Sequence, residues 1–181
     1  MRLIVVAGLP GTGKTALAEF TGRTCQVPVF SVAWMIGALS PFDVLDRENR
    51  GPVAYSALTM LARRQLDLGQ SAVLDGMCGR ESVREEWRRL AERYGASFLP
   101  IECVCSDAQL HRRRIEARDE TIPGWPDPGW DHVEEMRGRY EAWSSPRLVL
   151  DSVNPLAENQ RALLRYLEGG ATTLDPGEPV S

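Results

Sequence analysis

The sequence predicts one α/β domain, a parallel sheet between two layers of helices, on three observations. The segment Gly8-Leu9-Pro10-Gly11-Thr12-Gly13-Lys14-Thr15 fits the phosphate-binding form GxxxxGK[ST] and joins a short β-branched apolar run to a helical stretch. Five short apolar runs alternate with helical segments, as parallel strands joined by helical crossovers require. The 181 residues, 43% of them hydrophobic, supply one sizeable core and make a second domain unexpected.

Taken in order, Leu3-Ile4-Val5-Val6-Ala7 is apolar at every position, which suits a strand buried on both faces. The glycine loop follows, and Leu17-Ala18-Glu19-Phe20 continues as a helix. Val27 to Ser31 reads as the second strand and about Ala33 to Leu39 as a short helix. The loop Ser40-Pro41-Phe42-Asp43 leads to a helix from about Val53 to Leu68, ended by Gly69. Ser71 to Asp75 is the third strand, Glu81 to Tyr94 a charged helix, Ser97 to Val104 the fourth strand, and Asp107 to Arg118 a helix. The prolines and glycines of Ile122-Pro123-Gly124-Trp125-Pro126-Asp127-Pro128-Gly129-Trp130 exclude regular structure, and Asp131 then reads as the N-cap of a helix to about Trp143. Arg147 to Asp151 is the fifth strand and Pro155 to Leu167 the last helix. One domain of residues 1–168, with a lid at about 112–130, is expected to precede a flexible tail at 169–181. No internal repeat or low-complexity tract interrupts it.

The chemistry begins at Lys14, the only lysine, since every other basic residue is arginine. A compact ammonium bridges the outer phosphates of a nucleotide where a planar fork does not. The glycines allow unusual backbone angles and let successive N–H groups converge on anions at a helix N-terminus, and the Thr15 hydroxyl suits Mg²⁺. Asp75 closes an apolar strand before Gly76, where a carboxylate beside such a loop would hold Mg²⁺ directly or through water. Alone, a strand-ending aspartate is usually a cap or turn residue. In His111-Arg112-Arg113-Arg114-Ile115-Glu116-Ala117-Arg118, Arg114 and Arg118 share a helical face. One reading makes them a solvated basic face. The other makes them part of a closing lid, one stacking on a base and one offsetting phosphoryl charge.

Composition excludes several classes. A formal net charge of −4 gives no global basic field for nucleic acid or acidic membranes. The longest apolar stretch, near Ser31 to Leu39, is too short to span a bilayer, and the N-terminal run has no cleavage-type region, so a cytoplasmic location is expected. Cys25, Cys78, Cys103 and Cys105 lack CxxC spacing and read as packing residues without a disulfide. No motif specifies an oligomeric state.

Together the phosphate loop, the strand end Val73-Leu74-Asp75-Gly76 and the Arg114/Arg118 segment resemble the small P-loop kinases: polynucleotide-kinase-like, chloramphenicol-phosphotransferase-like, zeta-toxin-like and gluconate-kinase-like proteins. The resemblance covers about residues 1–168. It implies a three-layer P-loop NTPase fold with sheet order 2-3-1-4-5 and a small lid, ATP and Mg²⁺ as cofactors, and phosphoryl transfer to a hydroxyl. It assigns Gly11, Thr12, Gly13, Lys14, Thr15 and Ala16 to the phosphates, Thr15 and Asp75 to the metal, Arg114 to the base and Arg118 to the phosphate. Lys14, Asp75 and Arg118 form the implied catalytic set.

One position departs from the pattern. Many such kinases carry an aspartate shortly after the second strand, where it takes the proton of the attacking hydroxyl, and here the matching place is Ala33. Asp75 or Asp43 takes over, or the site is altered, naturally or by engineering, or the protein binds without efficient turnover. A loose transition state needs limited help from a base, so the substitution lowers the rate more surely than it abolishes it. On the acceptor side Ala33, Trp34, Asp43, Arg80, Trp125 and Trp130 are the candidate contacts, although each tryptophan alone suits packing and Arg80 suits a surface helix start. The expected acceptor is a small-molecule hydroxyl of an antibiotic, sugar or nucleoside, ahead of a nucleic-acid 5′-hydroxyl or a non-catalytic nucleotide-binding module. A remodelling ATPase is disfavoured because Asp75 precedes glycine rather than glutamate, and a guanine-nucleotide switch because NKxD is missing.

Overall fold

The computed structural model describes residues 1–118, 122–125 and 128–169. The strands β1 (Arg2–Ala7), β2 (Val29–Ser31), β3 (Ala72–Asp75), β4 (Ser97–Val104) and β5 (Leu148–Asp151) form an all-parallel sheet of order β2-β3-β1-β4-β5. Seven α-helices accompany it among the described residues: α1 (Lys14–Cys25), α2 (Val32–Leu39), α3 (Arg50–Asp67), α4 (Glu81–Arg93), α5 (Ala108–Glu116), α6 (Trp130–Gly138) and α7 (Leu156–Gly169).

The period-two alternation of β1 sorts its side chains between two cores. Leu3, Val5 and Ala7 join Leu58 and Leu66 of α3, Ile36 of α2 and Trp87 of α4 on one face. Ile4 and Val6 join Leu17 of α1 and Leu163 and Leu167 of α7 on the other. This is the three-layer arrangement expected. Trp87 is fully buried, and its indole N–H donates to Thr59 Oγ1 at 2.9 Å, so burial of the ring leaves no orphaned donor.

Several boundaries differ from the sequence reading. The second strand begins at Val29 rather than Val27, because Gln26 (φ 55°) turns the chain and Val27 N–H still donates to Gly22 O. The helix α3 begins three residues early: Asp46 Oδ1 accepts from the N–H groups of Glu48 and Asn49, and this local turn delivers the chain into the helix, with Pro52 in its first turn. Ser40–Phe42 forms a 3₁₀ turn. The helix α5 stops at Glu116, two residues before Arg118, as Ala117 N–H caps the carbonyls of Arg113 and Ile115. Gly129, not Asp131, occupies the N-cap of α6, and the helix ends at Gly138, not Trp143. Residues 140–143 leave it because Glu141 N–H donates to Gly79 O at 2.8 Å and the Trp143 ring lies 4.4 Å from the Arg84 guanidinium. Trp143 thus packs against the core from outside a helix. The expected tail from 170 onward, and residues 119–121 and 126–127 of the expected lid, lie outside the described residues.

Candidate active site

The sheet register brings the carboxyl ends of three strands to one point. Val6 of β1 and Ser31 of β2 both stand level with Asp75 on β3 between them. Beyond β1 the phosphate loop turns into α1, tied back by Gly8 N–H to Met77 O at 3.2 Å and internally by Thr12 Oγ1 to Leu9 O at 2.8 Å. Thr12 is buried, so its hydroxyl braces the loop from within. Gly11 has φ 81°, and a side-chain carbon there would lie 2.7 Å from Ile115 Cδ1 and 3.1 Å from the His111 ring, so only glycine fits between loop and α5. Gly13 is the N-cap of α1, and Lys14, Thr15 and Ala16 form its first turn, where helical N–H groups lack intrahelical partners.

Asp75 is 1% exposed. Its Oδ2 accepts from Thr15 Oγ1 at 3.0 Å and from Ser31 Oγ at 2.9 Å, whereas Oδ1 is buried without a partner. A buried carboxylate oxygen left unpaired is costly. A hard divalent cation beside Thr15 supplies what this oxygen lacks, so the residues fit Mg²⁺. Thr15 still has both hydroxyl lone pairs available, since only its proton is engaged.

Neighbouring hydroxyl and thiol groups are held protonated. Burial, then the Cys78 and Asp75 charges, push the Tyr55 hydroxyl well up, and it accepts from Cys78 N–H at 2.9 Å. Burial and the Asp75 carboxylate likewise raise the Cys78 thiol, and burial pushes the Cys103 thiol up to about 12 despite the opposing charge of Lys14. None of the three is poised to act as a base or nucleophile near neutrality.

Other expected residues are distributed unevenly. Arg114 donates to Ser152 Oγ at 2.7 Å and Ser152 O at 2.9 Å, which places it beside the loop: a side-chain carbon on Gly13 would be 3.9 Å from Ser152 Cβ. Arg118 lies past the end of α5, its N–H bonded to Ile115 O at 3.3 Å, so the pair does not share one helix. Ala33 sits half-buried in the first turn of α2, and Trp34 beside it is 51% exposed. Asp43 is exposed after the 3₁₀ turn, and Arg80 is exposed at the start of α4. Trp125 packs against the α2–α3–α4 core, while Trp130 meets His111 edge-on with centroids 5.4 Å apart.

The sequence reading missed Ser31, His111 and Arg137. Ser31 carries the only local signal, a hydroxyl at a strand end before a helix, yet it bonds Asp75 rather than capping α2. A cavity of about 300 Å³ opens under the loop, lined by Leu9, Thr12, Glu102, His111, Arg137 and Tyr140.

A sequence model for a family described as an AAA domain matches residues 3–142. Among solved structures, a protein of Chloroflexus aurantiacus J-10-fl provisionally named a kinase superposes with a TM-score of 0.74 at 23% identity, over 94% of this chain and 98% of that one. An unliganded sugar kinase from Janibacter sp. HTCC2649 gives 0.70 at 17% identity, over 93% and 95%. Chaetomium thermophilum Kti12, in complex with ADP-AlF3, gives 0.69 at 21% identity, over 93% and 99%. Likeness at these identities is likeness of fold. No curated protein matches the sequence.

Proposed function

Since the chain belongs to the AAA-domain family and folds as the small P-loop kinases do, we propose that it is an ATP-dependent phosphotransferase moving the γ-phosphoryl group to a small-molecule hydroxyl. The observation that carries this reading is the unpartnered, buried Oδ1 of Asp75 beside Thr15 at the mouth of a glycine loop. The fold neighbours include one named a sugar kinase and one bound to ADP-AlF3, which supports nucleotide binding and a small acceptor.

In this reading the N–H groups of Gly11 to Thr15 and the Lys14 ammonium bind the β and γ phosphates, and Arg114 at Ser152 flanks the base. Thr15 and Asp75 would hold Mg²⁺, which neutralises charge on the phosphates when bound. Arg118, just beyond α5, is assigned in the same reading to the charge of the transferring phosphoryl group. Ala33 cannot accept a proton, and Oδ2 of Asp75 already receives two hydrogen bonds, so neither is a ready base. The consequence is slow transfer. Ala33 also favours a second reading, a nucleotide-binding module without efficient turnover. Net charge of −4 weighs against a nucleic-acid acceptor.

The test is a screen of sugars, nucleosides, antibiotics and 5′-hydroxyl oligonucleotides with labelled ATP, run on the wild type, Lys14→Ala and Ala33→Asp. Lys14→Ala is expected to weaken ATP binding at least about tenfold, and Ala33→Asp to raise transfer about 10²-fold. Intact ATP binding in Lys14→Ala sinks the site assignment. Binding without transfer in both the wild type and Ala33→Asp selects the second reading.

A further inference from the structure

His111 of α5 is 1% exposed and touches the phosphate loop directly. Its Nε2 lies 2.6 Å from the Pro10 carbonyl oxygen, and its Nδ1 lies 3.0 Å from a terminal nitrogen of Arg137 in α6. A guanidinium only donates, so Nδ1 accepts from Arg137, and the ring proton is on Nε2, donated to Pro10. One tautomer satisfies both contacts. Trp130, the first residue of α6, packs edge-on against the same ring, and the Arg137 guanidinium lies 5.8 Å from the Trp130 ring centroid.

In a trans peptide the C=O and the following N–H point in opposite directions. Binding the Pro10 carbonyl to His111 therefore turns the Gly11 N–H away from α5, toward the side of the loop assigned to the phosphates. Gly11 has no side chain to bias that peptide, and its φ of 81° is one of several angles open to glycine, so the orientation is set from outside the loop. Resting on the nucleotide site proposed above, we infer that His111 is a positioning residue. It fixes the Pro10–Gly11 peptide in its anion-facing orientation, and Trp130 and Arg137 fix His111, so the helix that follows the 122–129 segment sets the shape of the phosphate cradle.

Three variants of the full chain test this by calorimetric titration with Mg·ATP, with thermal unfolding confirming that each is folded and Lys14→Ala run alongside. His111→Phe keeps a ring against Trp130 and Ile115 but neither donates nor accepts. His111→Gln keeps one donor and one acceptor on a planar amide. Arg137→Met, at an exposed position, removes the donor to Nδ1 and serves where His111→Phe does not fold. His111→Phe is expected to bind Mg·ATP about tenfold more weakly, Arg137→Met at least about threefold, and His111→Gln within about threefold of the wild type. Wild-type affinity in His111→Phe or in Arg137→Met, or equal losses in His111→Phe and His111→Gln, overturns the inference. Affinity unaffected by Lys14→Ala overturns instead the nucleotide site on which it rests.

Discussion

Cys103 faces the α1–α7 side of the sheet, and burial pushes its thiol up to about 12 from an ordinary value near 9. Between those two values an unfolded chain releases the proton and the folded chain keeps it. Stability therefore falls as pH rises through that window and is unaffected by this group below it. At pH 8, iodoacetamide is expected to label the half-exposed Cys25 and leave Cys103 and Cys78 unmodified until urea unfolds the chain. Mass spectrometry reads the pattern, and labelling of Cys103 in the folded protein contradicts the burial argument. Legibility at this scale depended on whether a residue's partners are local. Lys14 and Thr15 were readable because a contiguous loop defines them. Ser31 and His111 were not, since their partners lie 44 and 101 residues away, and neither residue type is distinctive alone.

Strand and helix alternation was legible throughout, because apolar runs and charged amphipathic stretches carry their period in the sequence. The end of α6 was not. Residues 139–143 suit a helix by composition, yet tertiary partners on α4 outweigh that weak preference. Arg84, 1% exposed, donates to the carbonyls of Glu141 and Ala142 at 2.9 and 3.1 Å, lies 2.8 Å from Glu81 Oε2, and rests on Trp143. Arg84→Met keeps the stem but strands two carbonyls and a carboxylate. It is expected to destabilise the protein by about 2–4 kcal/mol, read as a lower urea midpoint at unchanged slope. A loss under about 0.5 kcal/mol would mean that this segment is not anchored through the guanidinium.

At the scale of the whole molecule, the sheet order gathers the phosphate loop, Ser31 and Asp75 at the carboxyl ends of the strands, and the 122–125 segment packs onto α2. Gly37 is the seat: a side-chain carbon there would fall 2.5 Å from the Pro123 carbonyl oxygen and 3.1 Å from Ile122 Cγ2. Backbone cannot give way as a flexible side chain does, so Gly37→Val must lift the segment or shift α2. The expected cost is about 1–3 kcal/mol in urea unfolding. An unchanged midpoint would show that the segment does not rest there in solution. The strand order was legible through the family resemblance, and this contact was not, because no local pattern marks where a loop will rest on a distant helix.

The shared oxygen of Asp75 has a consequence for how the molecule breathes. Strand β2 is a three-residue edge strand that pairs only with β3, so by itself it is the part of the sheet most prone to fray. Ser31 in that strand and Thr15 in α1 donate to the same carboxylate oxygen, so Asp75 ties the edge strand and the start of α1 to one point on β3. Opening of β2 strips Asp75 of one of the two hydrogen bonds that orient it. Any ligand that occupies Asp75 then slows hydrogen exchange along β2 by mass action, protecting an edge it does not touch.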